Sequence, residues 1–234
     1  MPKLITLLLS LLLIALPKPE IPDSKRAGDV RAKVWPKLQK ELKDRGFKTH
    51  SSIYIRIIKD ISMLEVWVQS GKKYELFKSY DVCSYSGGLG TKTRNGDGKS
   101  PEGFYTIEPK QLNPVSNYYL AINVGYPNKV EQLKGYTGNA IMVHGHCASI
   151  GCYAMTDARI EEIYTLVYEA FTTGQKQIRV DIFPFRMDNA RLKLYSAYYP
   201  NQVYFWRTLK PGYDLFEEQQ IPVEYHIKGN NYAF

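Results

Sequence analysis

Residues 139–157 read Asn139-Ala140-Ile141-Met142-Val143-His144-Gly145-His146-Cys147-Ala148-Ser149-Ile150-Gly151-Cys152-Tyr153-Ala154-Met155-Thr156-Asp157. The apolar run up to Val143 predicts a strand that ends on His144. A tight loop follows, Cys152 comes eight residues after the histidine, and a helix is predicted to begin at Thr156 or Asp157, either of which can cap it. A thiol with an ordinary pKa of about 8.5 is mostly protonated at neutral pH, and a neighbouring imidazolium can lower it by several units. Cys152 is therefore the candidate nucleophile and His144 its candidate base. Gly145 and Gly151 supply the backbone freedom the loop needs to double back. Gly151 also lets a carbonyl approach the main chain, so the amides of Gly151 and Cys152 are candidate oxyanion donors. Ser149 reads as a hydrogen-bonding support of the loop, because no Gly-x-Ser-x-Gly elbow surrounds it.

Downstream, Ile160, Ile163, Tyr164, Val167, Tyr168 and Phe171 recur at helical spacing, with Gly174 as the stop. Ile178, Val180 and Ile182 then alternate as a strand. Upstream the period is also two: Ile53 to Ile57, then Leu64, Val66 and Val68, Tyr74 to Cys83, Gly103 to Ile107, Tyr119 to Val124 and Asn139 to Val143. Turn residues separate these runs at 70–71, 86–88, 95–98 and 126–128. Many short strands with regular turns predict an α+β, mainly β chain built on an antiparallel β-sandwich or barrel. Leu38 and Leu42 predict a short helix before it, with Pro36 as its first residue and Gly46 as its C-terminal cap. The last fifty residues read as helical stretches broken by Pro200 and Pro211 that pack on the main sheet.

The composition is that of a globular protein: 44% hydrophobic and 23% charged over 234 residues. Met1-Pro2-Lys3 and the apolar run Leu4–Leu16 match a signal peptide, and the run is shorter than the roughly 20 residues needed to span a bilayer. The expected division is a signal over 1–19, an N-terminal helical extension over 20–50, a catalytic domain over 51–185 and a C-terminal helical extension over 186–234. The expected location is exported and periplasmic, without stable membrane insertion. The net charge of +8 has no concentrated basic run, so a carboxylate-bearing wall polymer is a better partner than nucleic acid, with a solvated surface that has no specific partner as the alternative. Three cysteines, Cys83, Cys147 and Cys152, leave at least one thiol unpaired within the chain. Cys147 reads as a packed thiol or as a disulfide partner of Cys83.

Strand–His-Gly followed by Ser-x-Gly-Cys resembles the catalytic signature of the YkuD-type L,D-transpeptidase domain. Ser100-Pro101-Glu102-Gly103-Phe104-Tyr105 is similar to the stretch that precedes the active-site strands of that family, and the likeness covers roughly residues 50–185. The run at 144–156 most resembles the YafK-like branch. The resemblance implies a YkuD-like fold, with Cys152 attacking an L,D amide of a peptidoglycan stem peptide at diaminopimelate and His144 managing the proton. It implies no cofactor and no metal. The spacing from His144 to Cys152 is about half the usual, and Ile150 stands where the family carries a second histidine. The branch is associated with hydrolysis that releases peptidoglycan-linked lipoprotein, rather than with cross-linking. Lys92, Arg94 and Lys99, in a glycine-rich loop, are candidates for meeting stem-peptide carboxylates, with a solvated basic loop as the alternative.

Two other functions compete. His144, His146, Cys147 and Cys152 are zinc-ligand types, although four donors within nine residues lack the usual separated pairs. A non-catalytic wall-binding scaffold on the same fold is the other, and the intact His144/Cys152 pair argues against it.

Overall fold

A computed structural model describes residues 20–234, so the export segment expected over 1–19 lies outside the described residues. The elements in order are α1 (Lys25–Asp44), β1 (Ile53–Ile58), β2 (Met63–Ser70), β3 (Lys73–Asp81), β4 (Gly103–Ile107), β5 (Leu112–Asn113) and β6 (Ala121–Asn123). Helix α2 (Lys129–Leu133) precedes β7 (Met142–His144) and β8 (Tyr153–Ala154), which flank the cysteine loop. Then come α3 (Asp157–Thr172), β9 (Ile178–Phe183), α4 (Asn189–Tyr198), α5 (Val203–Gln219) and a terminal hairpin of β10 (His226–Lys228) and β11 (Asn231–Ala233). No helix among the described residues is long and apolar enough to cross a membrane.

The strands form two larger sheets, ordered β3-β2-β1-β9-β4 and β5-β6-β7-β8. The fold is mainly β with α+β content, as expected, but there is no closed barrel and the sheets are mixed. β1 pairs with β9 in parallel, and β7 pairs with β8 in parallel. Parallel neighbours need a returning connection. The chain between β7 and β8 has to come back to the start of β7, and that is what moves Cys152 beside the strand carrying His144.

Both faces of the five-stranded sheet are covered. Ile53, Ile55 and Ile57 of β1 join Leu64, Val66 and Val68 of β2 in one core with the apolar stripes of α1 and α3. The opposite face carries Tyr54, Arg56, Glu65 and Trp67, and Phe216 of α5 packs on it, with ring centroids 4.6 Å from Tyr54 and 5.1 Å from Trp67. Arg56 is thereby buried as a charge. It is paired with Glu65 at 2.8 Å and Glu217 at 2.5 Å.

Three local expectations are corrected. Helix α1 starts at Lys25, capped by the Ser24 side chain, and Pro36 lies inside it rather than at its first position. Its buried stripe Ala27, Val30, Val34, Leu38 and Leu42 begins well before the proline, and tertiary packing outweighs the roughly 3 kcal/mol an internal proline costs. Pro211 likewise lies within α5, which buries Phe205, Trp206, Leu209, Tyr213 and Phe216 around it. The C-terminal region also ends in a hairpin instead of a helix; Tyr232 on it is buried and its hydroxyl accepts from Asn128 Nδ2 at 2.7 Å.

One buried ion pair ties the C-terminal helix to the segment beside the cysteine loop. Lys59 is fully buried; its ammonium donates to Glu102 Oε1 at 2.8 Å and to the carbonyls of Gly90 and Ser100, each at 3.0 Å. Glu102 also accepts from the Gly90 amide at 2.7 Å and from Trp206 Nε1 at 2.8 Å. Burial pushes the lysine below its ordinary range, against the attraction of Glu102. Removing one member of such a pair leaves an uncompensated buried charge. Lys59→Met is therefore expected to lower unfolding free energy by about 3–5 kcal/mol, measured by denaturant titration; a change below about 1 kcal/mol would show that the pair holds nothing in place.

Candidate active site

In the parallel pairing of β7 with β8, Val143 lies opposite Tyr153 and His144 opposite Ala154. Cys152, immediately before β8, continues this register opposite Met142, and the Met142 amide donates to Cys152 Sγ at 3.4 Å. Partners in register point to one side of a sheet and alternate residues share a face. His144 and Cys152 therefore project from the same face at diagonal positions, with no direct hydrogen bond between imidazole and sulfur among the described residues.

The loop between them is held at several points. The Met155 amide donates to the His144 carbonyl at 2.7 Å and closes the loop at its base. Cys147 is disulfide-bonded to Cys83, which lies just beyond the end of β3. Ser149 Oγ accepts from the Gly151 amide at 3.0 Å and donates to the Cys152 carbonyl at 2.7 Å, the supporting geometry expected of it. Gly145 has no room for a side chain: a Cβ there would lie 2.7 Å from Asp157 Oδ1 and 2.9 Å from the Tyr118 carbonyl. Gly151 has φ +147°, a backbone region that favours glycine, and a Cβ on it would lie 3.3 Å from the Lys99 carbonyl.

His144 is 1% exposed. Its Nδ1 sits 2.5 Å from the Gly145 carbonyl, and a carbonyl can only accept, so Nδ1 carries the proton and Nε2 keeps the lone pair. Burial holds the imidazole below its ordinary pKa; the Gly145 carbonyl opposes this and His146 adds to it. Burial pushes the Cys152 thiol up, opposed by the Met142 amide and the charge of Lys92. Both shifts favour the uncharged forms, thiol and imidazole, over an ion pair. Cys152 Sγ also lies 3.6 Å from the Ala140 carbonyl, a suitable acceptor for the thiol proton at rest.

Of the two expected oxyanion donors, only one has its amide free of a partner. The Gly151 amide is engaged by Ser149 Oγ and the Gly145 amide by the Leu120 carbonyl at 3.0 Å. The Cys152 amide has no hydrogen-bond partner among the described residues and stays available for that role. The zinc alternative loses a ligand, since Cys147 is spent in the disulfide. His146 is exposed, and its Nε2 stands 4.0 Å from Asp157 Oδ2.

The three basic candidates separate. Lys92 is buried, donating to Asp97 Oδ1 at 2.8 Å and the Arg94 carbonyl at 3.0 Å, so it is neither a solvated side chain nor a free carboxylate ligand. Burial alone would raise Asp97; Lys92 and the amides of Thr93, Arg94 and Lys99 instead bring it down to about 2. Lys99 Nζ reaches the Leu89 carbonyl at 3.4 Å. Arg94 is exposed, and its guanidinium has no partner among the described residues. The segment does border the cysteine: Ser100 Oγ is 3.5 Å from the Cys152 carbonyl.

One neighbour carries no sequence signal, and the residue that departs from the family motif is exposed. The Tyr118 ring lies over His144 at 4.5 Å between centroids. Ile150, at the loop tip two residues before Cys152, is 89% exposed. Tyr118 stands in a loop without a motif, and only the fold reveals its neighbour.

The L,D-transpeptidase catalytic domain model, YkuD, matches residues 53–182. YafK of Escherichia coli strain K12, whose name assigns it provisionally as an L,D-transpeptidase, is 47% identical over 183 residues, covering 78% of this chain and 74% of that protein. YafK of Escherichia coli O157:H7 matches to the same extent, 47% over 183 residues. Among solved structures, the helical cell shape determining protein Pgp2 from Campylobacter jejuni is 24% identical at a TM-score of 0.45, over 62% of this chain and 54% of that one. Bd1075 of Bdellovibrio bacteriovorus is 18% identical at 0.39, over 73% and 62%.

Proposed function

We propose, for a chain that belongs to the L,D-transpeptidase catalytic domain family, that Cys152 and His144 carry out acyl transfer on peptidoglycan stem peptides. The placement of both side chains on one face, with the Met142 amide on Sγ, supports this reading. His144 Nε2 takes the thiol proton as sulfur attacks the carbonyl on the L-centre side of an L,D amide at diaminopimelate. The amide C–N bond breaks, the imidazolium returns the proton to the leaving amine, and a thioester to Cys152 remains. Positioned proton transfer of this kind contributes about 10²–10⁴-fold. The developing oxyanion has the unpartnered Cys152 amide as a donor.

Water then cleaves the thioester to a stem-peptide carboxylate and restores the Cys152 thiol, so the reaction is hydrolysis; the amine released in the first step is that of a peptidoglycan-linked lipoprotein. Cross-linking, with a second amine as acceptor, is the alternative. The setting is an exported one; a disulfide between Cys83 and Cys147 fits an oxidising compartment such as the periplasm. The test is incubation with purified sacculi that carry bound lipoprotein, followed by mass analysis of muropeptides and of released protein. Free lipoprotein without new cross-links is the expected result. New L,D cross-links with the protein retained would replace hydrolysis with transpeptidation, and no change in either product would refute the peptidoglycan reading.

A further inference from the structure

His144 is buried at the end of β7, and one aromatic side chain lies directly against its ring. The ring of Tyr118 lies 4.5 Å from the imidazole, tilted by 37°, and is itself 41% exposed. The tyrosine sits in a turn segment between β5 and β6, outside any helix or strand. Its neighbour Tyr119 has φ +69°, a left-handed conformation that a bulky residue adopts only when its surroundings enforce it.

The enforcing groups come from two helices. From α1, Arg26 Nη1 donates to the Tyr119 carbonyl at 2.8 Å and the Ser116 carbonyl at 3.2 Å, and Ser24 Oγ donates to the Pro114 carbonyl at 3.0 Å. From α3, Glu161 Oε1 accepts from the Tyr119 hydroxyl at 2.7 Å. The segment is thus fastened at three carbonyls by the start of α1, a helix that precedes the family-matched residues 53–182. The Tyr118 amide adds a local brace, donating to Ser116 Oγ at 3.0 Å.

We infer that Tyr118 is a positioning residue for His144, and that the N-terminal helix holds it in place through Arg26. The ring keeps water off the imidazole and confines it to the orientation in which Nδ1 meets the Gly145 carbonyl and Nε2 is left free. The role assigned to His144 rests on the proposed function; the contact itself does not. The other titratable or charged groups around the imidazole are His146 on its own loop, Asp157 and Glu161 from α3, Arg26 from α1 and Cys152 beside β7. None of these hydrogen-bonds to it, so the ring and the Gly145 carbonyl are its immediate partners.

The experiment follows the His144 ring by NMR across a pH titration, in the full chain and in Tyr118→Ala, Tyr118→Phe, Arg26→Ala and Arg26→Lys. Removing the ring admits water and favours the charged form, so the Tyr118→Ala midpoint is expected to rise by about 0.5–1 pH unit. Arg26→Ala should move it in the same direction by less. Tyr118→Phe keeps the ring and Arg26→Lys keeps a cation in reach of the carbonyls, and both should leave it in place. An unmoved midpoint in Tyr118→Ala overturns the inference, and an unmoved midpoint in Arg26→Ala overturns the part assigned to the helix. Because the titration is read on the protein without substrate, its outcome is separate from that of the sacculus assay. A shifted midpoint in a protein whose His144→Ala variant still turns over would remove the proposed base and leave the contact standing.

Discussion

Cys152→Ala is expected to lower turnover of a lipoprotein-bearing muropeptide by roughly 10³-fold or more, the scale on which losing a covalent nucleophile acts. The sulfur is half-buried and makes only weak contacts, to the Met142 amide and the Ala140 carbonyl, so its loss should leave folding intact; circular dichroism and the melting temperature check this. His144→Ala should cost about 10²–10⁴-fold by removing the base. The pH dependence has a defined direction. Because burial holds His144 below its ordinary value of 6.5, the free-base form persists into more acidic solution, and the acid limb of kcat/KM should fall below pH 6.5. Because burial raises the thiol, alkylation of Cys152 by iodoacetamide should keep rising past pH 9.0. A fast, pH-independent alkylation at neutral pH would mean a preformed thiolate–imidazolium pair.

Breaking the Cys83–Cys147 bond is expected to have the second-largest effect. It closes a loop with a sequence separation of 64 residues, and chain entropy alone gives such a cross-link about 4 kcal/mol. Reduction, or the paired change Cys83→Ala and Cys147→Ala, should lower the denaturant midpoint accordingly. The bond also fixes the loop that runs from His144 to Cys152. Turnover should therefore fall in the reduced protein even at temperatures where it stays folded. Full activity in a folded, reduced protein would show that the Ser149 braces suffice to hold the loop.

The course of residues 139–157 and helix α3 were legible because each rests on local chemistry. Thr156 does accept from the Arg159 amide as a cap, and the period from Ile160 to Phe171 follows the buried face. The strand alternation was equally readable, but pairing direction was not. Whether β9 lies parallel or antiparallel to β1 depends on the path of the chain between them, which no local pattern encodes. The two helix errors share one cause: Pro36 and Pro211 are local breakers, and the cores under α1 and α5 overrule them.

The site was half legible for a related reason. Cys152, His144 and Ser149 carry a motif, so their spacing suggested their arrangement. The engagement of the Gly151 amide, the burial of Lys92 and the approach of Tyr118 depend on residues distant in sequence or on hydrogen bonds that appear only once the loop is folded. Arg56 shows the same limit at the opposite face, where α5 turns an alternating strand into a doubly buried one.

The proposed reaction requires a covalent bond to form at one sulfur with help from one imidazole. The most direct measurement is intact-protein and peptide mass spectrometry of the acid-quenched enzyme after brief mixing with a stem-peptide substrate or with a carbapenem, which acylates activated thiols. An adduct on the peptide containing Cys152, formed at least about 10²-fold more slowly in His144→Ala, is the predicted result. An adduct elsewhere, or one whose rate ignores His144, would contradict it.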